Sequence, residues 1–192
     1  MRRRSLLLAG ALLLSSCSGG GTAAPTAAPD ARVLAAGRTT VQLTPGTYYS
    51  PVDFVPPLAL AVPAGWRSAH RGDDAFDLVS DGVTLAFDTP DGETVAPVLT
   101  ALQAKAKGTP VAGQQLLGGP AAGFDTTGGA GALLASPSGT VTVVLAAAQR
   151  VRVLGTDVDG VPLLVVVVVP DGARWTALLP RALALIRGVT RG

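Results

Sequence analysis

Residues 150–169 read RVRVLGTDVDGVPLLVVVVV, and this stretch decides the fold. Asp159-Gly160 is typical of two-residue hairpin turns, and strand-forming residues lie on both sides of it. We therefore expect Val151–Val158 to pair antiparallel with Val161–Val169. The run Leu163–Val169 is apolar at every position, which is typical of a central strand covered on both faces. With seven residues it is too short to cross a membrane.

A second hairpin is predicted by the segment FDLVSDGVTLAF, which begins at Phe76. Asp81-Gly82 occupies its turn, and apolar residues alternate with polar ones on either side. The register places Phe76 opposite Phe87 and Leu78 opposite Leu85, so one face of the hairpin is apolar. Further short strands are expected at Leu58–Val62, Gln114–Leu117, Ala121–Thr126 and Val141–Leu145.

Two helices are expected from apolar residues at helical spacing. The first runs from Val95 to Lys107 and stops at Gly108. The second begins near Asp171, which could cap it, and ends near Arg187. Its apolar stripe consists of Trp175, Leu178, Leu179, Ala182, Leu183 and Ile186. Pro180 falls on the opposite side of this helix, where we expect a kink or a restart.

The order of elements is strands, helix, strands, helix. This order predicts an α+β domain, in which an antiparallel sheet carries the two helices on one face.

The amino end has the three parts of a bacterial export signal. Arg2–Arg4 form a basic segment, Leu6–Leu14 an apolar one, and small residues lead to Cys17. Leu14-Ser15-Ser16-Cys17 resembles the lipobox of bacterial lipoproteins, in which the cysteine thiol receives a diacylglyceryl group. The alternative is an ordinary secretory signal in which the cysteine falls by chance. Arg3-Arg4 also resembles a twin-arginine export signal, so that route and the general secretory route both stay open.

This interpretation divides the chain into three parts. Residues 1–16 are a signal peptide, residues 17–37 are the lipidated cysteine and a flexible tether, and residues 38–192 are one folded domain. The tether is rich in small residues, and about 20 such residues span roughly 25 Å. A helical turn at Ala31–Ala36 is the alternative for its end. We expect the mature protein to be held by lipid on the extracytoplasmic face of the cell membrane.

Composition argues against several classes of function. The formal charge of +2 includes three arginines of the signal peptide; without them, twelve basic residues face thirteen acidic ones. Nucleic acid is therefore not an expected partner, because its binding sites need clustered positive charge. The single cysteine and the single histidine, His70, exclude an internal disulfide and a Cys-rich or His-rich metal site. No cofactor is implied.

Few residues are suited to catalysis. His70 lies near Asp73 and Asp74, but Ser68 is only two residues away and the chain has no G-x-S-x-G elbow. We therefore interpret the segment from Arg67 to Asp74 as a solvated loop. The only glutamate, Glu93, lies in the turn sequence Asp91-Gly92-Glu93, and the aspartates near turns, Asp157, Asp159 and Asp171, are expected to satisfy backbone donors. We predict that the protein is not an enzyme; an envelope hydrolase or transferase is the alternative.

Five residues are candidates for binding a ligand. Trp66, Tyr48 and Tyr49 are amphipathic aromatic residues of the kind enriched in recognition sites. The alternative for each is a place in the core. Arg150 and Arg152 fall on the same face of one strand, where they could meet an anionic partner; the alternative is a solvated sheet face.

Three short motifs carry a resemblance to a known group. They are Pro45-Gly46-Thr47-Tyr48, Phe54-Val55-Pro56-Pro57-Leu58 and Val62-Pro63-Ala64-Gly65-Trp66. Together they resemble the opening of actinobacterial envelope lipoproteins. The order of elements is similar to the Mog1/PsbP-like fold, to which LpqN-type lipoproteins belong. The resemblance implies a binding or accessory role in the cell envelope, with a protein, glycan or lipid as partner, and brings no catalytic residue. A purely structural docking subunit of an envelope complex is a further alternative.

Overall fold

The structure is a computed structural model that describes residues 32–34, 40–72, 75–90, 94–128, 132–135, 142–145 and 148–192. The predicted lipidation site Cys17 and its lipobox residues Leu14, Ser15 and Ser16 lie outside the described residues. So do Glu93, Asp73 and Asp74.

The described residues form short strands and two helices. In chain order the strands are β1 (Arg32–Val33), β2 (Val41–Gln42), β3 (Gly46–Tyr49), β4 (Leu58–Val62), β5 (Arg67–Gly72), β6 (Ala75–Ser80), β7 (Val83–Asp88), β8 (Thr109–Pro110), β9 (Gln114–Leu116), β10 (Gly119–Thr127), β11 (Ala132–Ala135), β12 (Thr142–Leu145), β13 (Arg150–Val158), β14 (Val161–Val169) and β15 (Val189–Arg191). The helices are α1 (Val95–Ala106) and α2 (Trp175–Arg187), and a 3₁₀ turn, Gly172–Arg174, precedes α2.

Both predicted hairpins are confirmed, and they lie next to each other in one large antiparallel sheet. Its strand order is β2-β5-β6-β7-β14-β13-β10-β8, and β9 also pairs with β10. The register places Phe76 opposite Phe87 and Leu78 opposite Leu85, as predicted. Strand β7 of the first hairpin pairs with β14 of the second, so the apolar strand β14 is interior to the sheet.

Strand β14 is buried on both faces. Val165 and Val167 pack in one core cluster with side chains of α2. Leu164 and Val166, which point to the opposite face, pack in a second cluster with side chains of α1. The uninterrupted apolar run therefore covers two separate cores, as expected for a central strand.

The structure confirms an α+β domain built on antiparallel sheets, but its two helices lie on opposite faces of the large sheet. This differs from the expected arrangement, in which both helices lie on one face. A single covered face would leave Leu164 and Val166 in water, and burying each such side chain contributes about 1.5–3 kcal/mol. Helix α1 therefore covers this face, while α2 covers the other.

Aspartate side chains accept hydrogen bonds from backbone N–H groups at the start of α1 and of the 3₁₀ turn before α2. The backbone N–H of Val95, at the start of α1, donates to Oδ1 of Asp157 at 2.7 Å. Asp171 accepts a hydrogen bond from the backbone N–H of Ala173 in the 3₁₀ turn before α2. The expectation that these two aspartates satisfy backbone donors is confirmed. Helix α2 continues through Pro180 without a restart.

A small second sheet has the order β1-β3-β4-β15. Strand β1 runs parallel to β3, and the other pairs are antiparallel. Helix α2 contacts β4 of this sheet as well as β7 and β14 of the large sheet. Strand β1 and the buried Leu34 fall within the predicted tether, so the described fold begins before residue 38.

Strand β5 lies in the segment for which the sequence predicts a solvated loop. Arg67–Gly72 pairs with β6 on one side, and Arg67 and Ser68 pair with β2 on the other. Our interpretation as a loop was wrong for these residues because it weighed charge alone. Backbone pairing does not depend on side-chain polarity, and Ser68 is buried within the strand.

Candidate ligand-binding groove

An open groove lies between the small sheet and helix α2, with a volume of about 660 Å³. Its lining is mostly apolar and consists of Gly46, Thr47, Ala61, Val62, Pro63, Ala64, Arg181, Ala184 and Leu185. Ligand sites are usually concave and mostly apolar, with a few polar groups that orient the ligand. The groove has this composition, with Arg181 as its charged group.

Small side chains leave space in this groove. Ala61 and Ala64 line one side of it, and Ala184 of α2 lines the other. The turn after β4 needs Gly65, whose φ of 84° is in the left-handed region that other residues seldom adopt. This turn lies beside α2, because an added Cβ at Gly65 would be 3.5 Å from Nη2 of Arg181.

Arg181 is held in place by neutral partners. Its Nη2 donates a hydrogen bond of 2.9 Å to Oγ of Ser80, and that hydroxyl donates one of 2.9 Å to the carbonyl oxygen of Gly65. Its Cζ lies 5.8 Å from the ring centroid of Trp66. Among the described residues no carboxylate pairs with Arg181, so its positive charge is not neutralised within this part of the chain.

Trp66 packs in the core beneath this arginine. Its side chain is 0% exposed, so it presents no surface to a ligand, and the structure supports the core alternative for it. Its Nε1–H is buried without a hydrogen-bond partner among the described groups. A buried donor without an acceptor costs about 1–3 kcal/mol.

Tyr48 and Tyr49 are adjacent on β3 but have different surroundings. Tyr48 is buried, and its hydroxyl donates to the carbonyl oxygen of Thr44 at 3.1 Å and accepts from Nη1 of Arg32 at 3.3 Å. The Thr44 side chain is the main cause that lowers the pKa of Tyr48 below 10.0; burial opposes this, and Arg32 lowers the pKa further. Tyr49 is partly exposed, at 37%.

Arg150 and Arg152 lie on the face of the large sheet that α2 covers, and both are close to Trp175. The Cζ atoms of Arg150 and Arg152 lie 4.9 Å and 5.9 Å from the Trp175 ring centroid. Arg152 also forms a bidentate ion pair with Asp125. The two arginines therefore lie together on one sheet face, as predicted. This face is partly covered by Trp175 and is not simply open to solvent.

The five predicted binding residues do not form one site. Trp66 and Tyr48 belong to the core, Tyr49 lies on the small sheet, and Arg150 lines a separate cavity near the end of α1. Sequence reasoning missed Arg181 altogether. The only signal was its helical spacing from Leu185, which is four residues later and places both residues on adjoining parts of one helix face.

The described residues contain no group of three or more His, Cys, Asp or Glu side chains that could hold a metal ion. Within the same part of the chain, no helix combines the length and apolar character that crossing a membrane requires. His70 lies on β5, where its backbone is opposite Phe76.

Comparison of the chain with protein-family models, with curated proteins and with solved structures found no match. The likeness to actinobacterial lipoproteins and to the Mog1/PsbP-like fold therefore stays a prediction.

Proposed function

We propose that this chain is a lipid-anchored protein of the bacterial cell envelope that binds a ligand in the groove without chemically changing it. The ligand has an apolar body and an acidic group. The observation that carries this proposal is Arg181, a guanidinium without a carboxylate partner among the described residues, at the side of an apolar groove.

The groove offers favourable contacts to both the apolar body and the acidic group of such a ligand. Burial of apolar surface against Ala61, Val62 and Leu185 contributes about 25 cal/mol for each Å² removed from water. Arg181 can donate parallel hydrogen bonds to a carboxylate, whereas a neutral ligand cannot form this ion pair. Ser80 and Trp66 hold the guanidinium in place before a ligand arrives, which lowers the entropic cost of binding.

The anchor is the second part of the proposal. Leu14-Ser15-Ser16-Cys17 follows an apolar segment of signal-peptide length. Two acyl chains on Cys17 would hold the protein stably at a membrane, whereas one chain would bind only marginally. The alternatives are an envelope hydrolase or transferase and a structural docking subunit.

Dodecanoate, an anionic amphiphile, is a suitable probe for the groove. Calorimetry with the full chain carrying Cys17→Ser, which cannot be acylated, should show saturable binding of dodecanoate. Ala184→Leu fills the groove and Arg181→Gln removes its charge, so each variant should weaken binding by about tenfold or more. Ala177→Leu adds the same side chain to an exposed position of α2 outside the groove and should bind like the parent chain.

Equal binding by Ala184→Leu and Ala177→Leu would show that dodecanoate binds elsewhere and would contradict the groove. The anchor is tested separately by intact-mass analysis of the membrane-bound protein. The wild type should carry lipid on Cys17, and Cys17→Ser should be released. Equal release of both without lipid would contradict the anchor. Replacing Arg3 and Arg4 with Lys keeps the charge; unchanged export of that variant would argue against the twin-arginine route.

A further inference from the structure

We propose that Arg150 and Lys107 form a second binding site, which takes a phosphate group. Both residues line a cavity of about 540 Å³ near the end of α1. This site is separate from the groove, and it does not depend on the lipid anchor.

The contrast between Arg150 and Arg152 carries the inference. Arg152 donates from Nε and Nη2 to the two carboxylate oxygens of Asp125, at 2.7 and 2.8 Å, and from Nη1 to Oε1 of Gln114 at 3.4 Å. Its donors are therefore occupied within the protein. The guanidinium of Arg150 has no hydrogen-bond acceptor among the described residues, although it carries five N–H donors. Of the two arginines, Arg150 is the one available to a ligand.

Arg150 is also held in position without an acceptor. Its Cζ lies 4.9 Å from the ring centroid of Trp175, which is a cation–π contact. Its aliphatic stem lies against Gly172, where an added Cβ would meet Cγ of Arg150 at 3.1 Å. The side chain is thus fixed by apolar and aromatic contacts while its N–H groups remain free to bind. Such preorganisation favours the binding of an anion.

The charges around the cavity favour a doubly charged anion. Lys107 and Arg150 are positive, and the only carboxylate among the described lining residues is Asp125. Asp125 is neutralised by its bidentate pair with Arg152, which leaves two positive charges uncompensated. The hydroxyls of Thr109 and Thr127 also border the cavity and can donate to an oxyanion.

A phosphate monoester fits these charges best. It carries nearly two negative charges near neutral pH, and a guanidinium can bind two of its oxygens in parallel. The cavity is larger than one phosphate, which leaves room for the organic group that bears it. A soluble phosphate ester and a lipid headgroup share this chemistry, so the test needs one probe for each source.

Glycerol 3-phosphate is the soluble probe, and vesicles of phosphatidylcholine with phosphatidic acid are the lipid probe. The full chain carrying Cys17→Ser should bind at least one of them saturably. Arg150→Gln should weaken this binding by about tenfold to a hundredfold, since it removes hydrogen bonds from a charged donor. Arg150→Lys keeps the charge but loses the parallel donors, so its affinity for the probe should lie between those of the parent chain and of Arg150→Gln.

Lys107 provides a variant that leaves the fold intact, because its side chain is exposed at the end of α1. Lys107→Gln should weaken binding by about twofold to fivefold. Arg187→Gln removes the same charge from an exposed position of α2 outside this cavity and should bind like the parent chain. Equal weakening by Lys107→Gln and Arg187→Gln would indicate nonspecific attraction and overturn the proposal, as would the absence of saturable binding of both probes.

Discussion

The carboxylate of Asp125 accepts two hydrogen bonds from the guanidinium of Arg152, one from Nε at 2.7 Å and one from Nη2 at 2.8 Å. The two residues face each other across β10 and β13. Their side chains are 21% and 11% exposed, so this ion pair is shielded from most of the solvent.

Removing the carboxylate from this pair should destabilise the domain. Asp125→Asn leaves the largely buried Arg152 without its counterion, and we expect a loss of about 1.5–3 kcal/mol in the free energy of unfolding. The measurement is urea denaturation followed by tryptophan fluorescence. The exposed pair of Asp159 and Arg191 is the control, and Asp159→Asn should cost less than about 1 kcal/mol. Equal costs for the two variants would contradict the importance of burial here.

A methyl group added at Gly155 should disturb the packing of α1 against β13. A Cβ there would lie 2.6 Å from Cγ2 of Val95 and 2.9 Å from Cδ1 of Leu99. We expect Gly155→Ala to destabilise the domain by about 1–3 kcal/mol through overpacking. Gly119→Ala is the matched control, because the nearest atom to its Cβ is 3.8 Å away, and it should change stability by less than about 0.5 kcal/mol. Chemical denaturation of both variants measures the change in the free energy of unfolding that each substitution causes.

Asp157 caps α1 from a distant strand. Thr94, at the N-cap position, makes no side-chain cap, whereas Oδ1 of Asp157 accepts from the Val95 N–H. Asp157→Ala should therefore cost about 0.5–2 kcal/mol in thermal or urea unfolding. Asp157→Asn retains an acceptor and loses only the charge next to the helix terminus, which is worth about 0.3–1 kcal/mol. If the two variants lost equal stability, charge rather than the hydrogen bond would be the main contribution of Asp157.

Tyr48 should ionise below its ordinary pKa of 10.0, mainly because of the Thr44 side chain. Tyr49→Phe leaves Tyr48 as the only tyrosine, so absorbance at 295 nm then follows this one phenol. A midpoint of 10.0 or higher in the folded chain would contradict the prediction. Thr44→Val should raise the midpoint, since it removes the side-chain hydrogen bond.

The lowered pKa of Tyr48 determines the pH range in which its ionisation stabilises the folded state. A lowered pKa means that the folded state favours the ionised phenol more than the unfolded state does. The resulting stabilisation is present above about pH 10 and is lost as the pH falls through the folded-state pKa. At neutral pH it contributes nothing, so Thr44→Val, which changes the pKa of Tyr48, and the parent chain should show the same change in stability between pH 6 and pH 8.

Several elements could be predicted because their signals are local. Asp81-Gly82 and Asp159-Gly160 set the two hairpin turns, and strand alternation set the register that places Leu78 opposite Leu85. Helix α1 ends one residue before the predicted end because Lys107 already has left-handed backbone angles. The expectation that Arg67–Gly72 would be a loop failed because the pairing partners of β5 are outside the segment itself.

The candidate sites were harder to predict. Arg150 and Arg152 have the same residue type and the same strand face, yet only Arg152 has a carboxylate partner among the described residues. That difference arises because Asp125 lies opposite Arg152 in the register of β10 and β13. The role of Arg181 could not be predicted from its helical spacing alone, because its partner, Ser80, is 101 residues away along the chain.

By itself, the sequence determined the two hairpins with their turns and the two helices, since alternation, helical spacing and turn chemistry act over a few neighbouring residues. It also predicted that β14 would be covered on both faces. The tertiary structure alone decided that α1 and α2 cover opposite faces, that the small sheet and α2 enclose a groove, and that Arg150 and Arg181 lack carboxylate partners among the described residues. These outcomes depend on which distant segments pack together to bury apolar surface, and no local pattern specifies that arrangement.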